Sequence, residues 1–181
     1  MILSDRSIIR EIEIGNIIFD PPVTEMDFSP SSVDVHLGEI VQIFKKPHPA
    51  IPKYVDLSHP EIHSSFSELL ETIDIPDAGY PLESQQFVLS YTKEKITLPS
   101  HICARLEGRS TNARFGISIH STAPTVHPTF TGVLVLEITN SGGLPCLLKK
   151  GMAIGQMIFE YVDSPPIKTL RSAWQGQKPP K

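Results

Sequence analysis

Two stretches of this chain carry residue types that folding alone does not require. Glu137 stands inside the apolar run Gly132-Val-Leu-Val-Leu-Glu-Ile-Thr139, and Arg109, Ser110, Thr111 and Arg114 crowd the stretch that begins at Gly108. By the period-two rule Val133, Val135, Glu137 and Thr139 share one face of a strand, and Leu134, Leu136 and Ile138 share the other. Both faces are apolar around the acid, so the strand is expected to be buried on both sides. A carboxylate in such a place carries a desolvation penalty and has its pKa pushed up unless it finds a partner. That property suits a residue that shuttles protons near neutral pH. The same burial fits a structural ion pair with Arg105 or Arg114, because such pairs also perturb titration.

The basic turn suggests different chemistry. Gly108 permits a tight change of direction, and Ser110 or Thr111 is a good helix N-cap. The start of a helix offers unpaired N–H groups and the positive end of a dipole, which suit a phosphate. Arg109 and Arg114 would add charge-assisted hydrogen bonds to the same anion. The Gly-Lys-Ser/Thr ending of a Walker loop is absent. A capped surface helix with two solvated arginines is the alternative.

The elements that must position these residues read as mainly β. Ser4 to Ile14 is the expected first helix, capped by Ser4 and stopped by Gly15, with Ile8, Ile9 and Ile12 as its apolar stripe and Glu11 and Glu13 off it. Ile17 to Phe19 is a short strand. In Ser32 to Gly38, Val33, Val35 and Leu37 alternate with Ser32, Asp34 and His36, and Val41 to Phe44 continues the sheet. Lys45 to His63, with His48, His59 and His63, reads as a surface excursion with solvated histidines. Phe66 to Ile73 is expected to form a helical turn or two. Phe87 to Tyr91, Ile96 to Leu98 and Ile102 to Leu106 are expected strands separated by turns, a pattern of short strands with frequent Pro and Gly that argues all-β.

At 181 residues the chain suits one domain with a real core. Its net charge of −4 supplies no basic surface for a polynucleotide, so a free nucleotide is the more natural ligand. Cys103 and Cys146 match no metal-ligand spacing, and with no secretory leader evident a reducing cytoplasm is expected. No apolar run approaches membrane-spanning length.

Met1-Ile-Leu-Ser-Asp-Arg6, Ser31 to Gly38, Ile96 to Pro99, Gly108 to Arg114, Gly132 to Gly142 and Gly151 to Phe159 follow one another in the order and spacing of the dCTP deaminase family. The chain resembles that family over most of its length. The resemblance implies the distorted β-barrel or jelly-roll protomer of the trimeric dUTPase superfamily, with an N-terminal helix and a short helix after Gly108. It also implies a single domain over residues 1–165, a lid over 166–181 and a homotrimer. The implied reaction converts dCTP and water to dUTP and ammonia, with Glu137 as acid and base, Arg114 holding that carboxylate, and Ser110 and the main chain near Ala123 placing water and base. Arg109, Ser110 and Thr111 would hold the phosphates, with Mg²⁺ bridging triphosphate oxygens, and Gln156 belongs to the same nucleotide-binding set. The His/Cys/Cys cage and Pro-Cys-x-x-Cys motif of zinc deaminases are absent, so no zinc is expected.

Two segments depart from the family. Where it usually reads His-Arg-Ile-Asp-Pro-Gly-Trp, this chain has Pro124-Thr-Val-His-Pro-Thr-Phe130. In dUTPases the matching aspartate orients the attacking water and the sugar 3′-hydroxyl, so His127 in its place argues for deamination ahead of diphosphatase chemistry. His127 is itself a candidate partner for a sugar hydroxyl. The alternatives are a bifunctional dUMP-forming deaminase or dUTP diphosphatase, and a nucleotide-binding relative whose chemistry has decayed. The tail from Arg171 to Lys178 is similar to the family's closing segment, with Trp174 as its aromatic surface and Gln177 where a glutamine meets the base. Ala173 replaces a phosphate-binding lysine there, and Lys178 lies nearby.

Overall fold

Alternating apolar residues dominate the chain, and the computed structural model, which describes residues 1–46, 54–59, 66–168, 175–176 and 178–179, builds them into antiparallel strands. In order these are β1 (Ile18–Asp20), β2 (Phe28–Ser29), β3 (Ser32–Phe44), β4 (Leu70–Asp74), β5 (Tyr80–Leu82), β6 (Phe87–Thr97) and β7 (Ile102–Gly108), followed by β8 (Ile117–Ser118), β9 (Thr125–Val126), β10 (Thr131–Asn140), β11 (Cys146–Leu148) and β12 (Ala153–Tyr161). The main sheet runs β8-β10-β6-β3-β12-β7-β9, with β1 added to β6 and both β2 and β4 added to β3; β5 and β11 pair separately. The sheet curls around a core that includes Val33, Val35, Leu37, Leu136, Ile138, Met157 and Phe159, all fully buried. The mainly β, barrel-like class expected from the sequence is what the chain adopts.

Three local expectations change. The first helix, α1 (Asp5–Glu13), forms where the sequence places it, but Ile9 is exposed and Glu11 is buried. Ile8 and Ile12 face the core, while Glu11 turns toward β12, where Tyr161 can satisfy it. Phe66 to Leu69 makes one tight 3₁₀ turn, and Leu70 to Asp74 then extends as β4 instead of continuing as helix. Pairing of Ile73 with Val41 and Thr72 with Gln42 outweighs the weak local preference. Ile96 and Thr97, expected as a separate strand, belong to the continuous β6.

β6 bulges between Tyr91 and Lys95. Val133 of β10 faces Lys95 and Val135 faces Tyr91, so four positions are spent on β6 for two on β10. The bulge turns Glu94 inward, where its carboxylate accepts hydrogen bonds from the His36 backbone N–H at 2.9 Å and meets His36 Nδ1 at 2.8 Å.

The helix after Gly108 is α2 (Ser110–Ala113), and its N-cap is Arg109 in extended conformation, not Ser110 or Thr111. With only one turn of helix the dipole expected at its start is small. Its exit is fixed by backbone packing: Ser141 N donates to Gly116 O at 2.8 Å, and a Cβ on Gly116 (φ +87°) would lie 2.3 Å from Gly142 N. Only glycine fits that contact.

Candidate functional site

Glu137 lies on β10 opposite Leu89 of β6. The strand is not sealed on both sides as expected. Leu134, Leu136 and Ile138 are buried, whereas Val135, Glu137 and Thr139 are half-buried on the opposite face. The segment that follows β8 runs back along β10: Glu137 N donates to Ile119 O at 2.9 Å, and Ser121 N donates to Glu137 Oε2 at 2.7 Å. One carboxylate oxygen is therefore aimed by the main chain, and among the described residues Oε1 has no hydrogen-bond partner. Neither proposed arginine partner takes that place. Arg105 Nε sits 2.9 Å from Glu160 Oε1, as an ion pair without hydrogen-bond alignment, and Arg114 is exposed.

Beside Glu137 opens a cavity of about 470 Å³, within the range of small-molecule pockets. Its walls are largely apolar, with Leu89, Tyr91, Leu106, Phe130, Val133 and Val135 among them, and Ala123 also lines it. A polar group that the sequence reading missed lies across the floor. Glu137 pairs with Leu89, Leu89 with Gln42, and Gln42 with Thr72, so one rung runs across β10, β6, β3 and β4. Tyr91 donates its hydroxyl to Gln42 Oε1 at 2.8 Å, and Gln42 Nε2 donates to Thr72 Oγ1 at 3.0 Å. Adjacent strands are about 4.8 Å apart, so the Gln42 amide stands roughly two strand spacings from Glu137 in the same cavity. Its signal was present: Gln42 interrupts Ile40-Val41-Gln42-Ile43 as Glu137 interrupts its own apolar run.

The basic turn lies elsewhere. Arg109 Nη2 pairs with Asp34 Oδ2 at 3.0 Å, and its Nη1 reaches Ala153 O at 3.4 Å. Burial pushes the Asp34 carboxyl above its ordinary value, against the pull of Arg109. Gln156 braces the turn, accepting from Ser32 Oγ at 2.8 Å and donating to Gly108 O at 3.1 Å. Ser110, Thr111 and Arg114 are exposed, and none of them lines the Glu137 cavity. His127 is exposed as well and is not in the cavity wall. Trp174 and Gln177 lie outside the described residues.

The family model described as dCTP deaminase-like matches residues 2–162. The chain belongs to the dCTP deaminase-like family. A protein of Beutenbergia cavernae named "dCTP deaminase, dUMP-forming" is 40% identical over 99% of this chain and 92% of its own length. A protein of Thermomicrobium roseum named "dCTP deaminase" is 37% identical over 100% of this chain and 92% of its own. The solved 2′-deoxycytidine 5′-triphosphate deaminase of Agrobacterium tumefaciens superposes with a TM-score of 0.66 at 20% identity, over 87% of this chain and 47% of that one. At that identity the likeness concerns fold, and this chain spans about half the length of the solved one.

Within this dCTP deaminase-like chain the structure gathers Glu137 and Ala123 around one cavity. It holds Arg109 and Gln156 together in a separate braced turn, with Ser110, Thr111 and Arg114 on the surface beside it. Among the described residues no three His, Cys, Asp or Glu side chains converge as a metal site, and no helix is long and apolar enough to cross a membrane.

Proposed function

We propose that this protein is a hydrolase that deaminates dCTP to dUTP and ammonia. The observation that carries the reading is the Glu137 carboxylate, with one oxygen fixed by the Ser121 N–H and the side chain on the wall of a largely apolar cavity of about 470 Å³. In this reading Glu137 takes a proton from water as the oxygen attacks C4 of cytosine, and passes protons to N3 and to the departing amine. The C–O bond forms, the C–N bond breaks and ammonia leaves. Main-chain groups from Ser121 to Ala123 border both the carboxylate and the cavity, which suits them to place the base.

The phosphates are assigned to Arg109, Ser110 and Thr111. Since these residues do not line the Glu137 cavity of their own chain, we assign each active site to two subunits of a homotrimer, with the turn of one, including Arg114, facing the cavity of another. Mg²⁺ carried by the triphosphate would neutralise charge there when bound. Free thiols at Cys103 and Cys146 suit a reducing cytoplasm.

A second reading, continuation to dUMP and diphosphate, is favoured by the "dUMP-forming" name of the 40% identical relative. His127, standing where the family carries aspartate, argues against it. Incubation with dCTP or with dUTP in Mg²⁺, followed by separation of products, decides between them. Ammonia and dUTP are expected from dCTP, with dUTP itself left intact; ammonia and dUMP from dCTP would establish the second reading, and unchanged dCTP would overturn both.

A further inference from the structure

The floor of the Glu137 cavity is one rung of the sheet, and the far end of that rung is polar. Glu137, Leu89 and Gln42 are direct neighbours on β10, β6 and β3, so their side chains project from the same face. Leu89 and Gln42 are almost fully buried, at 6% and 5% exposure. Gln42 stands among Ile40, Val41 and Ile43, where an apolar side chain would cost less to bury.

The Gln42 amide is held in a fixed direction. Its Oε1 accepts from the Tyr91 hydroxyl at 2.8 Å, and its Nε2 donates to Thr72 Oγ1 at 3.0 Å. A side-chain amide nitrogen carries two hydrogens, and among the described residues the second one meets no acceptor. Ser67, Thr125 and Lys178 also line the cavity, but all three are exposed, so water competes for their polar groups. Gln42 instead brings to the wall a donor that is buried and braced from two sides.

A ring lying over Leu89 has Glu137 to one side and Gln42 to the other, each about 4.8 Å away by strand spacing. Deamination brings C4 of the base to Glu137, and the 2-oxygen of the same ring then points away from β10. We propose that Gln42 is a further substrate-binding residue, which donates its free Nε2–H to the 2-oxygen of the pyrimidine while Tyr91 and Thr72 hold the amide in place. The inference rests on the deaminase reading above, which puts the base beside Glu137. Cytosine and uracil share the 2-oxygen. The contact therefore fixes how the ring lies and selects a pyrimidine, and discrimination at the 4-position stays with Glu137 and the main chain from Ser121 to Ala123.

Replacing the 2-oxygen by sulfur, a weak acceptor, tests the contact on the unaltered full-length protein. The calorimetric Kd of 2-thio-dCTP is expected to exceed that of dCTP about tenfold, as loss of one buried hydrogen bond does. In Gln42→Met, which keeps the length and drops the amide, dCTP and dUTP are each expected to bind about tenfold more weakly, and the penalty for sulfur to disappear. Should Gln42→Met fail to fold, Gln42→Asn, whose amide stops one methylene short of the ring, gives the same comparison. Equal Kd values for dCTP and 2-thio-dCTP in the wild type would overturn the assignment, as would a sulfur penalty that survives in the variant. A loss confined to dCTP would place Gln42 at the 4-position and overturn it too. Wild-type protein that binds dCTP without deaminating it sinks the functional reading and leaves the Kd comparisons to decide on Gln42. Protein that binds neither nucleotide ends both.

Discussion

Glu137 is held by one main-chain hydrogen bond and faces a cavity with its other oxygen unpaired, an arrangement that fixes direction without neutralising the group. Glu137→Gln preserves shape and removes the proton acceptor. Its kcat is expected to fall on the order of 10²–10⁴-fold while dCTP affinity in a binding titration changes little. Deamination at the wild-type rate would remove Glu137 from the mechanism. Thr129 invites a second residue-scale test. It has φ +66°, unusual for a β-branched residue, at the position where the family carries glycine. The backbone has kept the turn that glycine makes easy, and the carbonyls of Thr129 and Thr131 receive the tail there. A non-glycine residue in this region costs roughly 1–3 kcal/mol, partly offset by the greater unfolded-state entropy of glycine. Thr129→Gly is therefore expected to stabilise the fold by about 1 kcal/mol, seen as a higher urea midpoint at constant m-value. A lower midpoint would show that the threonine side chain does more than the strain removes.

Element by element, periodicity told which face of β3 is buried, overstated the burial of β10, and missed what lies between strands. Val33, Val35 and Leu37 are buried together as their alternation requires. Helix α1 departs because Glu11 finds partners at its own C-terminal turn and, far away in sequence, at Tyr161 and His101. It accepts from Asn16 Nδ2 at 2.7 Å and from Tyr161 OH at 2.7 Å, and His101 Nε2 lies 3.6 Å away. Burial alone would raise its pKa, but these three partners outweigh burial and hold the carboxyl below its ordinary value. The sign follows: the unfolded chain binds this proton more tightly. The stabilisation is complete above the ordinary glutamate value of about 4.3 and is lost as pH falls through the lower folded value. Urea midpoints measured between about pH 5 and pH 3 are expected to fall more steeply for the wild type than for Glu11→Gln. Equal slopes would mean that the α1–β12 contact carries no acid sensitivity.

At the scale of the molecule, the turn from Gly108 to Arg114 and the cavity beside Glu137 are separate features of one chain, which the proposed trimer joins. If each site takes Glu137 from one subunit and Arg114 from another, subunits carrying Glu137→Gln and subunits carrying Arg114→Ala, each nearly inactive alone, regain a sizeable part of wild-type activity when co-expressed. A mixture no more active than its parts would return the whole site to a single chain. The sequence by itself determined the strand faces, the acid inside an apolar run, the basic turn and the family motifs, because each is written in local order or in residue type. Only the tertiary structure decided that Gln42 shares a rung with Glu137, that Glu11 is buried, that Arg109 is paired with Asp34, and that Lys178 reaches the cavity. Those facts depend on strand register, on the bulge in β6 and on where the chain returns, which are set by contacts between distant residues and have no local signature.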